Sequence, residues 1–250
     1  IQKKIKEPES MGNQVADIYL SKGEIKKVVL KKERISGKIL AVKESSIEIE
    51  GYGEVPLDDN FSVYKLYGDF ERQTMNDILV GYDTQEFVTA DGKLCAALTM
   101  RAFQAETIRV LLTDTGLQSV FHDKIELEFL CNGTYLEDEK EYTFRTGETM
   151  TLTPEDTIFK EGRIIFEPDD KEKGIRICSI ERSLGIPVYP GRLEIAREED
   201  RLVLINELYM EEYLKRVVPS EMPVSYEKEA LKAQAVCART YAYRQIRGNS

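Results

Sequence analysis

Val217-Val218-Pro219-Ser220-Glu221-Met222-Pro223 sets one carboxylate between two prolines, and Ala230-Leu231-Lys232-Ala233-Gln234-Ala235-Val236-Cys237-Ala238-Arg239-Thr240-Tyr241-Ala242 follows shortly after. Each proline fixes its own φ and pushes the residue before it out of the helical region. Glu221 is therefore expected on a stiff, non-helical turn just ahead of a helix. Upstream of this junction the chain reads mainly as short strands, and downstream as one alanine-rich helix.

The helix side is the simpler to read. Ser225 is a suitable N-cap, and Glu227 and Glu229 load the first turn with negative charge, which suits the helix dipole. Gly248 offers a stop beyond Ile246, giving roughly 20 residues, or about 30 Å. Lys232 and Arg239 lie seven residues apart, on one face and roughly 10 Å from each other. Two aligned cations behind a fixed acid form the pattern of a groove for a polar, partly anionic ligand. Each taken singly reads as a solvated helix face. Glu221 taken singly divides between a surface acid and a capping acid.

Before the junction, Tyr209–Arg216 reads as a short helix with Glu211 and Glu212 early and Lys215 and Arg216 late. Gly191–Ile195 and Arg201–Ile205 flank Arg197-Glu198-Glu199-Asp200 as a hairpin. Residues 14 to about 104 alternate between short strands and turns. Val28–Leu30, Ile35–Val42 and Ile47-Glu48-Ile49-Glu50 are strands, and Asp91-Gly92 gives a strong hairpin signal. The expected fold class is α+β. A β-rich N-terminal small barrel or sandwich (1–105) precedes a mixed β domain (106–250) that ends in a short helix and a long alanine-rich one.

Composition narrows the function. The 250 residues are 42% hydrophobic and 32% charged, which suits a globular protein with room for two domains. A net charge of −10 speaks against nucleic acid as a partner. The charge is uneven: residues 1–43 carry 11 Lys/Arg against 5 Asp/Glu. Lysines guarding strand edges account for this, and a basic face for an anionic membrane or wall polymer is the sharper reading. Cys95, Cys131, Cys178 and Cys237 lie far apart in sequence, without the spacing of a metal knuckle or redox motif. His122, the one histidine, falls in an alternating strand and is expected to be exposed and non-catalytic. No cofactor and no metal are expected.

The segment Val218–Pro223, followed by Ala230–Val236 and Ala238–Ala242, resembles the signature of the SpoIID/LytB family of bacterial cell-wall proteins, the stage II sporulation protein D and amidase-enhancer group. Tyr189-Pro190-Gly191-Arg192-Leu193-Glu194-Ile195 is similar to the family's strand with its aromatic-x-glycine lead. Asn206–Leu214 is similar to its approach to the motif, and Ile108–Leu112 to the start of its domain. Cys237 stands where the family usually has alanine. The resemblance covers about residues 107–250 and attaches nothing to residues 1–105.

It implies a lytic transglycosylase that cuts peptidoglycan glycan strands and leaves a 1,6-anhydro end. Glu221 takes the place of the catalytic glutamate. Ser220, Lys232, Gln234, Arg239 and Tyr241 take motif positions expected to bind substrate. One acid suffices for anhydro formation, whereas hydrolytic glycosidases generally use two carboxylates. The resemblance further implies an extracytoplasmic, envelope location and a cell-wall amidase or other envelope protein as partner. A non-catalytic, amidase-enhancing glycan binder and an envelope adaptor are the competing functions. The family domain continues past its arginine–tyrosine helix, so the chain is expected to hold an incomplete domain that does not act alone.

Overall fold

Tight turns in left-handed backbone punctuate the N-terminal part: Lys22-Gly23 with φ of 53° and 78°, and Asp91-Gly92 with 53° and 74°. Two consecutive residues of positive φ match the right-handed twist of the strands they join. A computed structural model describes residues 14–137, 140–160 and 162–248 of the chain. It divides into one unit that runs to Gln104 and takes in the last helix from Tyr243, and a second of Ala105–Ala242. The start of the basic stretch, residues 1–13, lies outside the described residues.

The first unit begins with β1 (Val15–Ser21) and β2 (Glu24–Lys31), which pair with each other as a two-stranded sheet. Seven further strands form one sheet: β3 (Glu33–Ile35), β4 (Ile39–Val42), β5 (Ser46–Ile49), β6 (Gly53–Lys65), β7 (Glu71–Gln73), β8 (Gln85–Ala90) and β9 (Lys93–Thr99). Its order is β3-β8-β9-β6-β5-β4, with β7 also on β6. The long β6 pairs with β5 through Gly53–Pro56 and with β7 and β9 through Val63–Lys65, its register shifting between Leu57 and Ser62. That shift bends the sheet around Ile39, Ile47, Ile49, Val63, Ile78 and Phe87. The run Ile35–Val42, read from sequence as one strand, is two. A Cβ at Gly37 would stand 2.6 Å from the Glu50 carbonyl oxygen, so the chain passes too close there for regular pairing.

The second unit packs two antiparallel sheets face to face. The larger contains β10 (Thr107–Leu112), β11 (Phe121–His122), β13 (Gly133–Glu137), β14 (Lys140–Phe144), β16 (Arg163–Pro168), β19 (Arg192–Glu198) and β20 (Arg201–Tyr209), in the order β10-β20-β19-β16-β13-β14 with β11 also on β20. The smaller contains β12 (Ile125–Phe129), β15 (Thr149–Leu152), β17 (Ile175–Ile177) and β18 (Val188–Tyr189). Alternate residues of both sheets meet in one core: Leu127, Phe129 and Ile177 from the smaller, Phe166, Ile195 and Leu204 from the larger. Phe129 stacks on Phe144 at 4.0 Å between ring centres. His122 is buried, not exposed. Its strand pairs with β20, and its Nε2 lies 3.0 Å from the Leu112 carbonyl oxygen.

Two helices close the described chain: α1 (Met210–Glu221) and α2 (Lys228–Gly248). The architecture is α+β, strand-rich first and helical at the C-terminal end. None of the four cysteines is in a disulfide. Among the described residues no helix is long and apolar enough to cross a membrane.

Candidate functional site

The site begins on a central strand. β20 runs between β10 and β19 and passes straight into α1 at Tyr209–Met210, without a loop. The Met210 amide donates to the Glu106 carbonyl (2.9 Å), and Met210 and Leu214 are buried, so the root of the helix is pinned to the sheet. Gly191 permits close strand approach at this point. Its φ is +81°, and a Cβ there would lie 2.2 Å from the Glu207 carbonyl oxygen. Asn206 donates to the carbonyls of Pro190 (2.6 Å) and Arg192 (3.1 Å), fixing the same junction.

Glu221 is the last residue of α1, not part of a non-helical turn. Pro219 is accommodated inside the final turn, where one missing amide donor costs little regular structure. Pro223 acts as expected: Met222 is extended (φ −141°, ψ 125°), and its amide donates to the Val218 carbonyl at 3.0 Å. The short helix therefore runs five residues beyond Arg216, and the carboxylate is carried on a regular element. It is exposed. Ser225 does not cap α2. The helix begins at Lys228, and the Glu227 carbonyl accepts from the amides of Ala230 (2.9 Å) and Leu231 (3.1 Å).

Tyr213, one face of α1 back from Glu221, was missed by sequence reasoning. Burial, then the neighbouring phenol of Tyr241 and carboxylate of Glu221, push its hydroxyl above the ordinary tyrosine range. At neutral pH it stays a neutral donor beside the acid. Tyr213 thus lies within electrostatic reach of Glu221 on its own helix and of the exposed Tyr241 on α2.

The two cations do not line this cluster as a pair. Arg239 makes a two-pronged ion pair with Glu211 at the start of α1, Nη2 lying 2.8 and 3.0 Å from its carboxylate oxygens. Lys232 pairs with Glu229 one turn back, at 2.8 Å. The Ser220 hydroxyl donates to the Val217 carbonyl (2.8 Å), a bond to its own helix. Gln234 is half-buried, on the face of α2 that also carries Ala238. The structure thus sets Tyr213 near Glu221 and Tyr241, ties Arg239 to the root of α1, and leaves Lys232 on the surface.

A cavity of about 390 Å³ lies at the other end of α1, lined by Gly191, Arg192, Glu207, Tyr209 and Glu212 among others. Arg192 lies between Glu167 and Glu207, 3.6 Å from the latter. Behind it, Glu194 is buried between Arg163 and Arg109, with Arg109 Nη2 at 2.6 and 2.8 Å from its oxygens. Among the described residues no group of three or more His, Cys, Asp or Glu is placed to hold a metal ion.

A strand-launched helix ending in an exposed acid, faced by a second helix with an exposed tyrosine, defines an α+β domain with a surface polar site. Residues 198–250 match the family model described as SpoIID, stage II sporulation protein. Over this C-terminal region the chain is similar to the SpoIID family. It is 50% identical over 78 residues to the stage II sporulation protein D of Bacillus amyloliquefaciens, covering 31% of this chain and 20% of that protein. It is 48% identical over 46 residues to the protein of the same name from Bacillus subtilis, covering 18% and 13%. An uncharacterised protein of Brachyspira hyodysenteriae is 35% identical over 155 residues, covering 57% of this chain and 37% of that protein. The matched regions span well under half of these curated relatives. No solved structure matches.

Proposed function

We propose that the chain carries the acid–base centre of a peptidoglycan lytic transglycosylase, with Glu221 as the acid and base. The observation that carries this reading is the cluster at the end of α1: an exposed carboxylate beside a hydroxyl held neutral and an exposed aromatic ring. In the reaction the Glu221 carboxyl gives its proton to the glycosidic oxygen as the C1–O bond breaks. The resulting carboxylate then takes the proton of the sugar's own C6 hydroxyl, whose oxygen bonds to C1. The product is a 1,6-anhydro end, and no water is consumed. Enclosure by the glycan favours the neutral form of an acid, the form that protonates a leaving oxygen. Tyr213 offers a hydrogen bond to the same oxygen or to the carboxylate, and Tyr241 a face on which a sugar ring can stack. Arg239 acts by holding α2 against α1, and Lys232, Ser220 and Gln234 serve at the periphery. The work is placed in the cell envelope, with a wall amidase or another envelope protein as partner.

Mass spectrometry of glycan strands incubated with the full-length protein and with Glu221→Gln tests this. The native protein is expected to release anhydro-ended products. The variant is expected to lose about a hundredfold or more in rate, the usual contribution of a general acid–base. Anhydro products that survive the substitution would sink the assignment. The exposure of Val224 and Tyr226 just after the acid, and of Val236 and Tyr241 on α2, favours a second reading, a non-catalytic glycan grip that assists an amidase. Glycan binding without products from either protein selects it.

A further inference from the structure

In the ribbon β1–β2 the apolar side faces outward. Cross-strand pairing sets Ala16 opposite Leu30, Ile18 opposite Val28 and Leu20 opposite Ile25, all on one face. That face is open: Ile18, Leu20, Ile25 and Val28 are each more than half exposed. The other face is half-buried at its base, with Val15, Asp17, Val29 and Lys31, and exposed towards the turn, with Tyr19 and Lys27. Val15 packs on the cluster of Val88, Ala96 and Leu98, and Lys31 pairs with Asp17 at 3.1 Å. A soluble two-stranded ribbon would place these faces the other way round. At its base the apolar strip meets a groove of about 410 Å³ formed by Tyr64, Leu66, Phe70 and Leu98 with Val15 and Ala16, where Phe70 is 71% exposed.

Charge indicates what covers this strip. Residues 15–32 hold five lysines and no arginine against two acids. Lys22 sits at the turn, Lys26 in the bulge beside Ile25, and Lys27 stands over the Tyr19 ring at 5.5 Å. The chain outside residues 1–43 is strongly acidic. A strip of branched aliphatic side chains rimmed by lysines is the composition of a segment that lies in a lipid interface. Protein–protein interfaces instead favour arginine and are depleted in lysine. A second copy is a poor fit. Two strands of this length offer a face of about 250 Å², against the roughly 800 Å² per partner of a stable interface. A wall glycan or polyphosphate would use the lysines but not the aliphatic strip.

We infer that β1–β2 is a docking arm for an anionic lipid surface. Its apolar face rests among the acyl chains, and its lysines lie at the phosphates. Among the described residues no strand pairs with the outer edge of β1 or β2, and edge backbone of that kind keeps the arm at the interface and out of the hydrocarbon.

The chain contains no tryptophan, so Leu20→Trp gives a reporter without background. Its emission is expected to shift to the blue, and the protein to sediment, with vesicles of equimolar phosphatidylglycerol and phosphatidylcholine, but not with phosphatidylcholine alone. Lys22→Gln, Lys26→Gln and Lys27→Gln together, in the reporter background, should weaken partitioning on the order of a hundredfold, at about 1 kcal/mol for each lysine. Ile18→Ser with Val28→Ser should abolish the blue shift, with circular dichroism checking that the fold is kept. Protein that stays in the supernatant overturns the inference, as does binding with the reporter still in water. Equal binding to both vesicle types, a blue shift with dimerisation in the absence of lipid, or sedimentation solely with teichoic-acid-bearing wall fragments would also overturn it.

Discussion

Hairpins β1–β2 and β19–β20 are built alike. Each has antiparallel strands of seven to nine residues and a tight turn with a residue in left-handed backbone, Lys22 in one and Glu199 in the other. They differ in their neighbours. β19 also pairs with β16, and β20 with β10, so Leu193, Ile195, Leu202 and Leu204 become core. Among the described residues no third strand pairs with β1 or β2, and Ile18, Leu20 and Ile25, just as apolar, stand open. Turn chemistry and alternation make a hairpin. Adjacency decides whether its apolar face is interior or surface.

The contrast can be broken most forcefully at Glu194, which is 97% buried on β19 between two arginines. Glu194→Ala leaves their charges without it and should cost about 3–5 kcal/mol in denaturant unfolding. A loss under about 1 kcal/mol would mean that the buried ions do not hold the embedded hairpin. Gly191→Ala comes next. At φ +81°, with a backbone oxygen 2.2 Å from the added carbon, strain of about 1–3 kcal/mol is expected as a lowered thermal midpoint. An unchanged midpoint would show that the junction yields. Ile18→Thr, on the open ribbon, should change stability by no more than about 0.5 kcal/mol. A loss of 2 kcal/mol or more, typical of buried aliphatic side chains, would place that face inside the fold.

Local signals were the legible ones. Asp91-Gly92 marked its hairpin because that turn needs positive φ, and the Gly191–Ile205 hairpin followed from alternation around a charged turn. The prolines around Glu221 were half legible. Pro223 forces an extended Met222, but a proline in a helix's last turn forfeits only one donor, so Pro219 did not end α1 early. Non-local facts were illegible. The partner of Arg239 is Glu211, 28 residues away, and seven-residue spacing with Lys232 carries no trace of it. Tyr241 comes near Tyr213 through the folding of α2 beside α1, and His122 is buried because of what pairs with its strand.

The direct passage of β20 into α1 has a consequence for how this region can vary in length. With no loop to absorb a change, one inserted residue at Tyr209–Met210 turns the helix by about 100° about its axis and advances it by about 1.5 Å. Glu221 and Tyr213 would then swing together about the end of β20. An insertion in the exposed link from Pro223 to Glu227 leaves α1 where it is and shifts α2 instead. Relatives that keep the acid in register are thus expected to differ in the number of residues after Pro223 and to keep one fixed count from Asn206 to Glu221.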